Sequence, residues 1–142
     1  MIIIDTDVLS ALRRSERDAN FEAWFKRQRE SDLFLSVVTI GEIERGIQRQ
    51  QSINPEFART LASWLDSVTT IYGERILPFD LAAARRWGQL SARIGSNSPD
   101  LMIAATALEH GLTVATHNIG DFEPTGVAAI DPFGSPKQVR KK

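Results

Sequence analysis

Three consecutive isoleucines at positions 2–4 form a short apolar segment that ends abruptly at Asp5. A run of β-branched residues without polar alternation is typical of a strand that is buried on both faces of a parallel sheet. Short apolar segments recur at 33–36, 112–116 and 127–130, and segments with helical spacing separate them. This alternation predicts an α/β fold with layers of helices around a central, mainly parallel sheet.

Six segments have the apolar spacing of helices. We predict helices over Thr6–Arg13, Asn20–Arg29, Thr39–Gln50, Pro55–Tyr72, Leu81–Ile94 and Pro99–His110, and a short extended piece over Arg75–Phe79. The length of 142 residues fits one domain, which we assign to residues 1–133. Residues 134–142 form a basic tail, for which we predict either a flexible solvated terminus or a contact with RNA phosphates.

Composition excludes several classes of protein. The chain has no cysteine, and therefore no disulfide, thiolate metal site or cysteine nucleophile. No apolar run approaches the roughly 20 residues that cross a bilayer, and no signal peptide is recognisable, so we expect a cytoplasmic protein without a membrane partner. The net charge of −1 is not that of a non-specific nucleic-acid binder, although the net charge would not reveal a local basic surface.

Four acidic residues lie where a predicted strand ends or a predicted helix begins. Asp5 follows the first strand, Glu42 lies in the first turn of the 39–50 helix, Asp100 opens the 99–110 helix, and Asp121 lies in the turn after the 112–116 strand. Each acid also fits a purely local role as a helix cap or turn residue, with Glu42 completing a capping box that begins at Thr39.

These local roles themselves predict that the acids converge. In a parallel sheet with helical crossovers, strand ends and the starts of the following helices share one edge, where ligands bind. Carboxylates crowded together repel, so that some must protonate unless a cation lies between them. A site made only of carboxylates suits Mg²⁺ or Mn²⁺, and such a site supports phosphodiester hydrolysis with one or two metal ions.

Four stretches of the chain resemble, in order and spacing, the motifs of the PIN-domain family. They are residues 2–9, 35–46, 100–107 and 114–122. The resemblance extends over nearly the whole chain and points to the VapC-type toxins of type II toxin–antitoxin modules, including the FitB-like branch.

This resemblance implies a three-layer α/β/α fold and a Mg²⁺-dependent endoribonuclease, with Mn²⁺ as the alternative metal. It implies that Asp5 and Asp100 chiefly hold the metal, and that Glu42 and a residue of the fourth motif, for which Asp121 is the candidate, complete the catalytic set. It also implies a homodimer, a cognate VapB-like antitoxin that inserts a segment into the active-site groove, and structured substrates such as transfer RNA or ribosomal RNA.

Two positions depart from the family pattern. Asp7 stands where the family usually has Asn, so it either joins the metal shell or changes the metal preference. Asn118 stands where some relatives carry the fourth acid, which leaves open whether Asn118 or Asp121 completes the site. Thr6, Asp7, Thr116 and Asn118 are candidates for orienting ligands or water through hydrogen bonds. His117 lies beside this site, and the sequence leaves open whether it contacts substrate.

Two other functions compete with the ribonuclease. The segment Asp5-Thr6-Asp7-Val8 also fits the nucleophile motif of haloacid-dehalogenase-like phosphatases, with Asp5 as nucleophile and Asp7 as acid–base. That chemistry needs a later lysine, but none occurs between Lys26 and Lys137. The second alternative is a PIN scaffold that binds RNA or protein without cleavage. The presence of all four acids argues against this alternative.

Overall fold

A five-stranded sheet forms the centre of the computed structural model, which describes residues 1–14 and 18–133. The strands are β1 (Ile2–Ile4), β2 (Leu33–Ser36), β3 (Ile76–Leu77), β4 (Thr113–Ala115) and β5 (Ala129–Ile130). The helices are α1 (Thr6–Arg13), α2 (Ala19–Lys26), α3 (Val37–Gln50), α4 (Pro55–Tyr72), α5 (Leu81–Ile94), α6 (Pro99–His110) and α7 (Ile119–Phe122). None of the helices in the two described ranges is both long and apolar enough to span a bilayer. The predicted basic tail, residues 134–142, lies outside the described residues.

Every described strand pairing is parallel, and the strands lie in the order β3-β2-β1-β4-β5. From β1 the chain moves outward to β2 and β3, then returns to the other side of β1 with β4 and continues outward to β5. The direction therefore reverses between β1 and β4. Open α/β sheets bind ligands beyond the carboxyl ends of the strands at such a reversal. The topology thus places a candidate site directly after β1 and β4.

The two faces of the sheet carry separate apolar cores. Ile4 and Leu35 belong to the core that includes residues of α1 to α4, whereas Ile3 and Val114 belong to the core that includes residues of α6 and α7. Ile3 and Ile4 are fully buried, because successive strand residues point to opposite faces and both faces are covered. Helices on both faces of a parallel sheet confirm the predicted three-layer α/β/α fold.

Helix α3 begins two residues earlier than predicted, and the expected capping box is wrong. Ser36 ends β2 and caps the helix, since its Oγ accepts the main-chain N–H of Val38 at 3.0 Å. Thr39 therefore lies inside α3 and is fully buried, and Glu42 lies beyond the first turn. Because β2 continues into α3 without a loop, the helix start is closer to the sheet than the sequence pattern indicated.

Other predicted helix ends are confirmed, with two differences. Asp80 caps α5, and Gly111 ends α6 with a φ of 66°, a left-handed conformation that glycine adopts without strain. Helix α2 ends at Lys26, because the main-chain N–H of Arg27 bonds back to Trp24 in a tighter turn. The predicted polar turn after β4 contains the short helix α7, in which Asp121 lies.

Arg75 joins the end of α4 to the start of β2. Its Nη1 donates to the main-chain oxygens of Glu30 and Leu33, each at 2.7 Å, and its Nη2 donates to that of Ile71 at 3.0 Å. The guanidinium also lies over the ring of Tyr72, 4.7 Å from its centroid. One side chain thus joins the start of β2 to the end of α4, two segments that are distant in sequence.

Replacing Arg75 by Ala is expected to lower the free energy of unfolding by about 2–3 kcal/mol, because hydrogen bonds from charged groups are worth about that much. Urea unfolding followed by circular dichroism measures the effect. Arg29→Ala is the control, since the Arg29 side chain is 80% exposed and its ion pair with Asp32 is worth less than about 1 kcal/mol. Equal losses in the two variants would contradict this role of Arg75.

Candidate active site

Asp5 is the most firmly held acid at the carboxyl end of the sheet. Its Oδ1 accepts the main-chain N–H of Thr6 at 2.8 Å, which caps α1, and its Oδ2 accepts the hydroxyl of Thr116 at 2.8 Å. The Thr116 Oγ1 in turn accepts the main-chain N–H of Asn118 at 2.9 Å. Asp5 is only 3% exposed. A chain of hydrogen bonds from the segment after β4 therefore fixes the carboxylate that follows β1.

Glu42 reaches the same edge from α3 and is held through Thr6. The hydroxyl of Thr6 donates to Oε1 of Glu42 at 2.6 Å, and it also lies 3.1 Å from Oγ1 of the buried Thr39. These contacts connect the first turn of α1 with α3. They explain why an acid that follows the second strand lies beside one that follows the first.

Asp7 faces the segment after β4. Its Oδ2 accepts the main-chain N–H of His117 at 3.1 Å and the side-chain amide of Asn118 at 3.3 Å. Its Oδ1 is buried, and no described residue hydrogen-bonds to it. Burial raises the pKa of Asp7, and the main-chain N–H groups of His117 and Val8 act in the opposite direction. A buried carboxylate oxygen without a partner is costly and leaves room for an additional ligand.

Asp100 reaches this edge from α6. Ser98 caps the helix by accepting the main-chain N–H of Asp100 at 3.1 Å, which places the acid in the first turn. The pKa of Asp100 is raised from 3.8 to about 6 by burial first, and then by the charges of Asp121, Glu42 and Asp7 in that order. Asp121 is exposed on α7 but close enough to act on Asp100.

The acids form one electrostatic cluster. Burial, the charge of Asp7 and, to a smaller extent, the charge of Asp100 together raise the pKa of Asp5 from 3.8 to about 7, against the opposing effect of the hydrogen bonds from Thr116 and Thr6. Asp5, Glu42, Asp100 and Asp121 therefore lie at the same edge of the sheet, within electrostatic reach of one another, and Asp7 joins them. Neighbouring carboxylates whose pKa values rise together are the electrostatic setting in which a cation binds favourably.

The donor set fits a hard divalent cation. It consists of carboxylates, one of which has an unpartnered buried oxygen, and oxygen ligands of this kind suit Mg²⁺ or Mn²⁺. As placed, no three acidic or histidine side chains within residues 1–14 and 18–133 converge closely enough to enclose a metal ion. An ion held here by one or two carboxylates would keep several waters, which is the usual behaviour of Mg²⁺.

Two residues at this edge were missed by the sequence analysis. Thr39 was assigned to a helix cap, yet its side chain contacts Thr6. Asp131 directly follows β5, and its Oδ2 lies 3.3 Å from Nδ1 of His117. The rule that identified Asp5, an acid directly after an apolar strand, would also have identified Asp131.

Comparison with known proteins gives the family. The chain matches the PIN domain over residues 2–123. A VapC ribonuclease of Sinorhizobium fredii is 34% identical over 94% of this chain and 98% of its own length. Toxin FitB of Neisseria gonorrhoeae is 31% identical over 94% of this chain and 99% of its own length. The crystal structure of FitAcB from the same organism aligns with a TM-score of 0.83 at 32% identity, covering 95% of this chain and 100% of that chain. The chain therefore belongs to the PIN-domain family.

Proposed function

We propose that this chain is the toxin of a VapBC-type toxin–antitoxin module and acts as a metal-dependent endoribonuclease on RNA phosphodiester bonds. The observation that carries the proposal is the cluster of acids at the carboxyl edge of the sheet, in a PIN domain whose relatives include a VapC ribonuclease and a toxin. Carboxylates are the usual protein ligands of Mg²⁺, and a bound metal ion supports phosphodiester hydrolysis.

Within this site, Asp5 and Asp100 are the proposed ligands of Mg²⁺, with Mn²⁺ as the alternative. When bound, the ion supplies the positive charge that makes a water acidic and offsets the charge of the phosphate. We propose that Glu42 and Asp121 complete the catalytic set, with Glu42 accepting a proton from water. Support comes from the shared electrostatics of these acids, since the pKa of Asp100 responds first to burial and then to Asp121 and Glu42.

The surrounding polar residues orient these carboxylates. Asn118 donates to Thr116 and Thr116 donates to Asp5, so that both Asp5 oxygens have fixed directions. Asp7 receives two hydrogen bonds from the segment after β4 and keeps that segment close to α1. Partners of this kind usually matter to metal affinity almost as much as the ligands themselves.

The proposed partners follow from the relatives. The FitAcB structure and several further structural neighbours are toxin–antitoxin complexes, so we propose a VapB-like antitoxin that covers the acidic cluster of this chain. We propose a homodimer as the assembled form, and transfer RNA or ribosomal RNA as the substrate. Asn118 takes part in orienting Thr116, so Asp121 is the proposed fourth acid.

Neither alternative function is favoured. A haloacid-dehalogenase-like phosphatase lacks its lysine between positions 26 and 137, and Asp7, its required acid–base, is tied by hydrogen bonds to His117 and Asn118. A non-cleaving PIN scaffold does not explain why five acids gather at one edge against their mutual repulsion.

Incubation of the purified chain with total RNA tests the proposed function. Cleavage is expected with Mg²⁺ or Mn²⁺ and is expected to disappear with EDTA, because the acids alone cannot offset the charge of the phosphate. Cleavage that persists in EDTA would refute the metal mechanism. Release of phosphate from small monoesters, without RNA cleavage, would support the phosphatase instead.

Thr6→Val is expected to slow RNA cleavage about tenfold or more, the usual cost of losing an orienting hydrogen bond at a metal site. The reason is that valine keeps the shape of threonine but releases Oε1 of Glu42. Initial rates at saturating Mg²⁺ measure the effect. Thr6→Ser keeps the hydroxyl and is expected to restore most of the rate. If Thr6→Ser were as slow as Thr6→Val, the hydrogen bond to Glu42 would not be the cause.

A further inference from the structure

His117 lies at the rim of the acidic cluster, and its ring is held from two sides. Its main-chain N–H donates to Oδ2 of Asp7 at 3.1 Å, which places the residue beside the acids. Its Nδ1 lies 3.3 Å from Oδ2 of Asp131. The ring also meets that of Phe133 edge to face, with centroids 5.5 Å apart and planes at 89°. Backbone and ring contacts together define the position of this imidazole.

The residues that hold the ring are themselves fixed. The Asp131 side chain is only 9% exposed, and its Oδ1 accepts the main-chain N–H of Phe133 at 2.9 Å. Phe133 stacks on the fully buried Phe21, with ring centroids 4.9 Å apart. The His117 side chain, by contrast, is 60% exposed. An exposed side chain that is already ordered loses little conformational freedom when a ligand binds.

Nε2 is the ring nitrogen of His117 that remains for a ligand. Nδ1 faces Asp131, and no described residue hydrogen-bonds to Nε2. A protonated imidazole donates at both nitrogens, so one ring can bind the Asp131 carboxylate and a second anion together. The acids beside it repel an RNA phosphate, and a donor at the rim offsets part of that repulsion.

We propose that His117 binds substrate, with Nε2 donating to a phosphate oxygen of the RNA that lies on the acidic cluster. This inference rests on the proposed function, because it takes RNA as the ligand. Asp131 is the positioning residue, since its carboxylate faces Nδ1 and orients the imidazole, whose side chain is largely exposed. The segment after β5 thereby contributes to substrate binding.

The test measures RNA affinity in an Asp5→Asn background, in which the RNA is expected to stay intact. The probe is a short fluorescein-labelled single-stranded RNA of mixed sequence, and its anisotropy is followed in the presence of Mg²⁺. His117→Ala is expected to raise Kd about tenfold, as the loss of a charge-assisted hydrogen bond does. The slope of log Kd against log salt is expected to fall by about 0.7, the value for one phosphate contact on a single strand.

Matched variants distinguish a phosphate contact from base stacking and from a general loss of positive charge. His110→Ala, at the exposed end of α6, is expected to change neither Kd nor the salt slope. His117→Gln keeps a donor and is expected to retain most of the affinity, whereas His117→Phe is expected to lose it. Asp131→Asn is expected to weaken binding less than His117→Ala. Thermal unfolding checks that each variant is folded. We expect the His117 variants to fold, because the His117 side chain is largely exposed.

Three results would overturn the inference. An unchanged Kd and salt slope in His117→Ala is the first. The second is retained affinity in His117→Phe with loss in His117→Gln, which would indicate a base stacked on the ring. An equal effect of His110→Ala is the third. Failure of the proposed nuclease activity is a separate outcome. In that case the wild-type chain would leave RNA intact, while His117→Ala would still weaken RNA binding.

Discussion

Asp5→Asn is expected to abolish RNA cleavage and, at the same time, to stabilise the metal-free protein at neutral pH. The loss of cleavage should exceed about a hundredfold, since even the orienting partners of metal ligands typically cost 10–100-fold. The variant keeps the shape of the side chain and an oxygen that can accept the N–H of Thr6, so the fold is expected to persist.

The gain in stability follows from the electrostatics of Asp5. Burial and the charge of Asp7 raise its pKa to about 7, so ionised Asp5 is an uncompensated cost in the folded state above that pH. The shift from 3.8 to about 7 sets an upper limit, and we expect the amide to raise the free energy of unfolding by about 2–4 kcal/mol at about pH 8 in EDTA. Urea unfolding of both proteins gives this difference.

Glu44→Gln is the matched control for Asp5→Asn. Glu44 lies within the second motif, but it is exposed on α3, where its carboxylate accepts the side-chain amide of Gln48 at 2.8 Å. The Glu44→Gln substitution is expected to affect neither RNA cleavage nor stability. An Asp5→Asn protein that cleaves RNA normally would remove Asp5 from the mechanism. One that is less stable than wild type would show that Asp5 has structural rather than functional importance.

Stability of the metal-free protein should also depend on pH in a direction set by Asp5. Because its pKa is higher in the folded than in the unfolded chain, the folded state binds the extra proton between about pH 4 and about pH 7. The Asp5 contribution to the free energy of unfolding is therefore largest below about pH 4, falls as the pH rises through this window, and reaches its minimum above about pH 7. The difference between wild type and Asp5→Asn isolates this contribution from those of other acids.

At neutral pH, Mg²⁺ is expected to restore the stability that the metal-free protein loses through ionised Asp5. A ligand that binds only the folded state at 100 times its Kd adds about 2.7 kcal/mol to the free energy of unfolding. Wild type should gain stability with Mg²⁺, while Asp5→Asn and Asp100→Asn should gain little. Two results would contradict a shared cation site. One is a difference in the free energy of unfolding between wild type and Asp5→Asn that stays the same from about pH 4 to about pH 8. The other is an equal effect of Mg²⁺ on the stability of all three proteins.

Much of the fold was predictable because short strands buried on both faces leave a strong pattern. The isoleucines at 2–4 indicated a central strand, and Ile3 and Ile4 are indeed fully buried on opposite faces. The start of α3 was not predictable from the Thr39 pattern, because Ser36, three residues earlier at the end of β2, offers an equally good cap. Tertiary position, with β2 leading straight into α3, decided between the two caps.

The candidate site was predictable only as far as topology determines it. A rule about strand ends and helix starts is enough to bring Asp5 and Asp100 to one edge. It does not reveal that Thr6 bridges to Glu42, or that His117 pairs with Asp131, since both contacts join side chains across elements that are far apart in sequence. Such contacts depend on helix placement to within an ångström, which periodicity does not encode.

The central claim is that acids distant in the chain share one bound cation. A crystal structure of the chain grown with Mn²⁺, with anomalous diffraction data, tests this most directly. We predict an anomalous peak in contact with carboxylate oxygens of Asp5 and Asp100, and its loss in Asp5→Asn. An acidic cluster that carries no peak at saturating Mn²⁺, or a peak that remains unchanged in Asp5→Asn, would contradict the account.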